Sequence, residues 1–125
     1  MSAVFVIGGL VALALAIAGV LALAAPHRMA HAYGLPVQDG PAGGFVRAMG
    51  IRDLVIAAVL GATVYFHDIP LLVVVAVAGI VLSVTDLVIA YHTGGKHWRR
   101  EHVTHVGGVV AFVLVLAMAL FAVGM

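Results

Sequence analysis

Four long apolar runs set the first constraint on what this chain can fold into. A helix that crosses a membrane needs about 20 mostly apolar residues. Four stretches qualify, at 2–25, 47–66, 70–91 and 103–124. None of them alternates apolar and polar residues as the strands of a membrane barrel do. The runs therefore predict an all-α fold, a four-helix transmembrane bundle that forms a single domain over 1–125.

The composition places this bundle in lipid. Residues of the AVILMFWYC set make up 65% of the chain, and charged residues make up only 9%. A soluble domain needs many more charges to cover its surface, so the excess apolar surface must face lipid. The first run is preceded by no basic residue and is longer than the core of a signal peptide, so we expect it to remain as a helix. With 0 cysteines, disulfides and thiolate metal sites are excluded.

All six basic residues fall on one side of the predicted bundle. Four spans put both termini and the 67–69 turn on one side and the 26–46 and 92–102 loops on the other. The basic residues belong to the second side: Arg28, Arg47, Arg52, Lys96, Arg99 and Arg100. The positive-inside rule makes that side cytoplasmic. We therefore expect a multi-pass protein of the cell membrane with both termini on the non-cytoplasmic side.

Four ionisable residues are predicted to lie at one depth inside the bundle. Counted from the cytoplasmic helix ends at about 1.5 Å per residue, Asp53 lies roughly 9 Å deep. Asp86 and His105 lie at a similar depth, and Arg52 is next to Asp53. Small residues three and four positions apart flank these groups, which lets the helices approach and turns the groups inward. Ionisable groups inside a membrane indicate a functional site.

This predicted site is typical of acid–base chemistry on a lipophilic molecule. A carboxylic acid in an apolar pocket can stay protonated near neutral pH and act as a general acid. We predict Asp53 and Asp86 as the catalytic acid–base pair, with Arg52 and His105 as their electrostatic partners. Isomerisation, cyclisation of a terpenoid-like chain and epoxide opening fit this arrangement, and no cofactor or metal is predicted. The predicted substrate contacts are Arg47, Ser83 and Phe112.

Other interpretations of these residues stay open. Arg47 is also typical of a cation that snorkels to the lipid headgroups. Arg52 with Asp53 or Asp86 would, as a structural ion pair, fix the packing of the helices. His105 on its own is typical of a hydrogen-bonded core histidine. Metal binding is a further alternative, because potential ligands cluster around the fourth run: His92, His97, Glu101, His102 and His105.

A lid is expected over the cytoplasmic mouth of the site. The 34–44 stretch holds four glycines and two prolines, so it cannot be helical throughout. Phe45, which follows it, is expected to pack beneath it.

The motif RAMGIRD at 47–53, with Asp86 and His105, resembles a family of small four-span membrane proteins, the domain of unknown function 4267. In that family the first helix ends at a proline before an aromatic-glycine turn, here Pro26 and AYGLP. The resemblance covers nearly the whole chain apart from the 92–102 loop. The architecture is broadly similar to that of DoxX-type proteins. The resemblance implies an integral membrane protein with a shared polar site, and it implies no reaction.

Three functions of different classes follow from these features. The first is an enzyme that acts on a lipophilic substrate from within the membrane, for which small membrane cyclases of epoxidised terpenoids supply an analogy. The second is a non-catalytic membrane subunit or assembly partner whose buried charges specify helix pairing. The third is an oligomeric proton-coupled carrier. The expected partners are membrane lipid, a lipophilic small molecule and a second copy bound through small-residue helix faces, without nucleic acid.

Overall fold

Four α-helices make up the part of the chain that the computed structural model describes, which comprises residues 2–26, 28, 41–93 and 98–124. They are α1 (Ser2–Ala24), α2 (Pro41–Tyr65), α3 (Ile69–Thr93) and α4 (Trp98–Ala122). Strands do not occur in these described ranges. The all-helical, four-helix fold predicted from the apolar runs is therefore confirmed.

Each of the four helices is long and apolar enough to cross a membrane. The candidate spans contain between 18 and 22 residues: Ala3–Ala24, Val46–Tyr65, Ile69–Ile89 and His105–Ala122. Large apolar side chains on every helix, such as Leu10, Val55, Val74 and Val110, are more than half exposed. An apolar surface of this extent is suited to contact with lipid tails and not to contact with water. These features indicate a multi-pass membrane protein.

Two helices begin earlier than the apolar runs predicted. α2 begins at Pro41 where the run began at 47, and α4 begins at Trp98 where the run began at 103. Proline is favoured in the first turn of a helix, because the N–H that it lacks has no partner within the helix there. The added turns contain glycine or charged residues. Hydropathy alone therefore places the start of the membrane span and misses the start of the helix.

The expected lid falls partly inside α2. Residues 41–44 form the beginning of that helix, so this part of the 34–44 stretch is not a loop. Residues 34–40 and the side chain of Phe45 lie outside the described residues.

The bundle consists of two helix pairs. α1 packs along α2, and α3 packs along α4, whereas α2 and α3 share fewer contacts, as do α1 and α4. The backbones of the first pair come very close. A Cβ atom added to Gly19 would lie 2.8 Å from the carbonyl oxygen of Gly50, and one added to Gly50 would lie 2.7 Å from Cβ of Ala22. The absence of a side chain at both glycines therefore permits this approach.

A tight turn at 66–68 joins the two pairs at one end. The carboxylate of Asp68 caps α3, since its Oδ1 accepts a hydrogen bond from the Leu71 N–H at 2.9 Å. His67 has a φ of 55°, in the left-handed region that non-glycine residues seldom adopt. Its ring packs edge-on against Phe5 of α1, with centroids 4.4 Å apart. The turn is thereby held against the beginning of α1.

The apolar core fills the half of the bundle nearest this turn. Leu60, Leu72 and Val115 are fully buried there and belong to three different helices. Thr63 is also buried, and its hydroxyl donates a hydrogen bond to the carbonyl oxygen of Leu60 at 2.7 Å. The charged side chains of the spans lie in the other half, away from this core.

Candidate functional site

A two-point ion pair joins α2 to α3. Nη1 of Arg52 donates to Oδ1 of Asp86 at 3.0 Å, and Nη2 donates to Oδ2 at 2.6 Å. Two parallel bonds between a guanidinium and a carboxylate are strong and fix the orientation of both groups. Arg52 lies roughly 20 Å along the axis from the end of α2, at about 1.5 Å per residue. The helix pairs are therefore connected at two levels, by the 66–68 turn at one end and by the ion pair near the middle of α2.

A second carboxylate lies beside the same guanidinium. Oδ1 of Asp53 is 3.5 Å from Nη2 of Arg52, which is longer than either contact with Asp86. Asp53 is only 8% exposed. Nε of Arg52 is buried and has no acceptor among the described residues. Arg52 therefore lies between two carboxyl groups, of which it binds Asp86 at two points.

A cavity of about 440 Å³ lies against this cluster, between α1 and α4. Its polar wall consists of Asp53, Ser83, Asp86 and His105, and His105 is only 5% exposed. The rest of the wall is apolar and comes from α1 and α4: Ile7, Leu10, Val11, Ala14, Leu15, Ala18, Gly107, Gly108, Ala111, Phe112 and Leu114. The volume lies within the range of about 300–1,000 Å³ that is typical of small-molecule sites.

The cavity reaches the lipid-facing surface of the bundle. Leu10 of α1 and Leu114 of α4 both line it, and they are 57% and 46% exposed. Gly107 also lines it, and a Cβ atom added there would meet nothing within 4 Å. A molecule dissolved in the bilayer can therefore approach the polar wall from the side, between α1 and α4.

Two glycines shape the inner end of the cavity. A Cβ atom added to Gly108 would lie 2.9 Å from Oγ of Ser83, and one added to Gly79 would overlap the ring of Phe112. The absence of side chains at these positions leaves room for the hydroxyl and for the aromatic ring in the cavity wall.

The structure brings most of the sequence-predicted site residues together. Asp53, Asp86 and His105 line one cavity, and Arg52 binds Asp86 without itself lining that cavity. The equal depth expected for these groups therefore corresponds to a shared location.

The predicted substrate contacts divide between the cavity and the surface. Ser83 and Phe112 line the cavity. Arg47 does not, because it is exposed and its Nε lies 3.5 Å from the carbonyl oxygen of Leu23 near the end of α1. This position fits the alternative in which Arg47 reaches toward the headgroup region.

Sequence reasoning missed the mouth of the cavity. Gly107 gave no signal because glycine is common on the apolar helices of membrane proteins. The lining residues of α1 gave none either, since α1 contains no charged residue that would identify its inner side.

Most side chains of the histidine-rich stretch around the beginning of α4 lie outside the described residues. This applies to His97 and to the side chains of Glu101 and His102. His92 is exposed near the end of α3, where its ring centroid is 5.3 Å from that of Tyr91. Among the side chains that the structure does describe, no three potential metal ligands form a group.

The fold and the site together define a class: a small four-helix membrane bundle in which an Arg–Asp ion pair supports the wall of a lipid-accessible cavity. The sequence model of the family called domain of unknown function (DUF4267) matches residues 12–120. The chain belongs to this family, as the RAMGIRD motif indicated. The matched range contains every member of the polar cluster. No curated protein and no solved structure matches the chain significantly.

Proposed function

We propose that the protein is a membrane enzyme that rearranges a lipophilic small molecule by proton transfer in the cavity between α1 and α4. The main support for this proposal is the lining of the cavity of about 440 Å³. Side chains capable of acid–base chemistry form its polar wall, and the remaining lining is apolar. Asp53 and His105 are the groups that exchange protons, and both are more than nine-tenths buried.

The reaction class is redox-neutral isomerisation or cyclisation. One of Asp53 and His105 gives a proton to an alkene, epoxide or carbonyl, and the other removes a proton from a neighbouring carbon. The substrate gains one proton and loses one, so no oxidant or reductant is consumed. The product has the same elemental composition as the substrate.

Asp86 has a different role in this proposal from the one expected at first. Both of its oxygens accept hydrogen bonds from Arg52, which is the geometry of an ionised carboxylate. Asp86 is therefore assigned to stabilising positive charge that develops on the substrate. The Asp53–His105 pair then replaces the Asp53–Asp86 pair as donor and acceptor. The aromatic ring of Phe112 lies in the same wall, and an aromatic ring can stabilise a nearby cation.

Asp53→Asn and His105→Gln are each expected to reduce product formation by about 10²–10⁴-fold, the usual contribution of a positioned acid or base. The measurement compares lipid extracts from cells that express the natural chain or a variant, using chromatography with mass spectrometry. The natural chain should produce a pair of compounds with the same mass and different retention. Gly61→Ala is the control, since Gly61 does not line the cavity. Equal product from the natural chain and both site variants would contradict the proposal.

The Arg52–Asp86 ion pair also favours a second candidate function, a non-catalytic membrane subunit. In that function the charges fix α2 on α3, and a partner or a second copy packs against an exposed face that contains Gly107. The variant Asp53→Asn distinguishes the two candidate functions, because it leaves both Arg52–Asp86 bonds in place. A subunit keeps its role in this variant, whereas the enzyme loses turnover.

We further propose that both termini face the non-cytoplasmic side of the cell membrane. Arg28 follows α1, and Arg47 lies beside the end of α1 through its contact with the Leu23 carbonyl oxygen. Both arginines therefore belong to the same end of the bundle, which the positive-inside rule assigns to the cytoplasm.

Cysteines placed at Ser2 and Gly95 are expected to react from opposite sides of the membrane. In intact cells a membrane-impermeant thiol reagent should label Ser2→Cys, and it should label Gly95→Cys only after permeabilisation. The natural chain has 0 cysteines, so it serves as the background control. Labelling of Gly95→Cys and not of Ser2→Cys in intact cells would reverse the assigned topology.

A further inference from the structure

The polar wall of the cavity is rich in hydrogen-bond acceptors. An ionised carboxylate has about four acceptor sites and no donor. Asp86 lines the cavity and uses two bonds to hold Arg52, which leaves it further acceptor capacity. Asp53 adds a second carboxylate, while Ser83 and His105 can accept or donate. A ligand head that donates hydrogen bonds therefore matches this wall.

The cation of the cluster does not face the ligand. Arg52 is absent from the described residues that line the cavity, and no lysine or other arginine is among them. Its Nη atoms are directed to Asp86, with Asp53 at 3.5 Å. An anionic head would lie beside Asp86, which its two bonds to Arg52 hold as an ionised carboxylate, in an apolar setting where charge repulsion is screened much less than in water. The wall therefore disfavours phosphate, sulfate and carboxylate heads.

The size and the opening of the cavity define the rest of the ligand. The volume of about 440 Å³ lies in the range of sites that hold a drug-sized molecule. The opening between Leu10 and Leu114 leads to the lipid layer. The body of the ligand is therefore a hydrocarbon chain or ring system of this size, already dissolved in the membrane.

We infer that the cavity selects a membrane-dissolved alcohol or amine over an anionic lipid of equal chain length. This inference rests on the proposed function, in which the cavity between α1 and α4 holds a small molecule. The head donates a hydrogen bond to Asp86, which takes no part in proton transfer, and the apolar body lies between α1 and α4.

Competition for a photoreactive probe tests this selection. A diazirine-bearing dodecanol is crosslinked to the protein in lipid nanodiscs in the presence of unlabelled dodecanol, dodecylamine, dodecyl methyl ether or dodecyl phosphate. The alcohol and the amine are expected to compete about tenfold or more strongly than the other two, the factor associated with a hydrogen bond to a charged acceptor. The ether lacks a donor, and the phosphate is an anion, so the two comparisons separate hydrogen bonding from charge.

A pair of glycine variants tests the location of the probe. A Cβ atom added to Gly107 or to Gly61 would meet nothing within 4 Å, yet only Gly107 lines the cavity. Gly107→Phe is expected to abolish crosslinking, and Gly61→Phe is expected to preserve it. Mass spectrometry of the crosslinked natural chain supplies a second readout that does not depend on the folding of either variant. It should place the label on residues 107–114 or on the facing part of α1.

The outcomes separate the inference from the proposed function. Competition by dodecyl phosphate or by the methyl ether as strong as that by dodecanol would overturn the selection of a donor head, with the label still in the cavity. Two results would overturn both the small-molecule site and its selection of a donor head. The first is a label outside the cavity, and the second is crosslinking that Gly107→Phe does not reduce.

Discussion

Asp86→Asn is expected to lower the free energy of unfolding by about 3 kcal/mol, at the lower end of the roughly 3–5 kcal/mol lost when one partner of a buried ion pair is removed. The guanidinium of Arg52 would lose a carboxylate that accepts bonds at 3.0 and 2.6 Å and would retain Asp53 at 3.5 Å. The lower end applies because the Arg52 side chain is 32% exposed and can extend toward the headgroups. Thermal unfolding in detergent or titration with a denaturing detergent measures the change.

Two further variants make this measurement specific to the ion pair. Asp68→Asn is the same chemical change at an exposed position, and asparagine caps a helix as well as aspartate does. It is therefore expected to alter stability by less than about 0.5 kcal/mol. The double variant Arg52→Gln with Asp86→Asn removes the guanidinium together with its two-point partner, and Asp53 loses only the longer contact of 3.5 Å. Stability should therefore recover in part. If Asp86→Asn unfolds at the same temperature as the natural chain, the ion pair does not hold α2 on α3.

Gly50→Ala is expected to destabilise the bundle by about 1–3 kcal/mol, the usual effect of adding atoms to a well-packed contact. The new Cβ atom would lie 2.7 Å from Cβ of Ala22 and 2.8 Å from the carbonyl oxygen of Gly19. Neither neighbour can rotate away, because one is a backbone atom and the other is fixed to the backbone. α1 and α2 would have to separate instead.

Gly61→Ala is the matched control on the same helix. A Cβ atom at Gly61 would meet nothing within 4 Å, so the change adds no overlap. Alanine also favours a helix over glycine by about 0.5–1 kcal/mol, which makes this variant neutral or slightly more stable. The same substitution is therefore expected to have opposite signs 11 positions apart on α2. Equal stabilities of the two variants would show that the close approach of α1 and α2 does not limit packing.

The sequence was sufficient to predict the number of helices and the members of the polar cluster. Both follow from free energies that depend on residue type alone: the transfer of about 20 apolar residues into lipid and the cost of placing a charge there. The choice of partner for Arg52 was not predictable in the same way. Neighbouring residues on a helix point in different directions, so Arg52 and Asp53 cannot both face the same partner helix equally. The rotation of α2 against α3 decides in favour of Asp86, and that rotation depends on the packing of the whole bundle.

The cavity was beyond sequence reasoning for a related reason. α1 is apolar on all sides, so a pattern of polar and apolar residues cannot show which side faces lipid and which faces the cavity. Whether Gly107 opens a space or fills a contact depends on the distance between α1 and α4. The polar half of the site was therefore predictable from Asp53, Asp86 and His105. The apolar half depends on how α1 and α4 pack, which the sequence pattern does not show.

The adjacency of Arg52 and Asp53 also has a consequence for biosynthesis. Because α2 precedes α3 in the chain, we expect Arg52 to enter the hydrocarbon layer before Asp86 can pair with it. An arginine raises the free energy of insertion by about 2.5–3.5 kcal/mol at the centre of a spanning helix, and by less nearer its end, where Arg52 lies in the span Val46–Tyr65. Asp53, with Oδ1 only 3.5 Å from Nη2, gives α2 a counter-ion of its own during that interval. In the folded bundle Asp86 accepts two shorter hydrogen bonds from the guanidinium, and Asp53 lies in the cavity wall. We therefore expect the carboxylate of Asp53 to lower the cost of inserting α2, and the same group later belongs to the cavity wall.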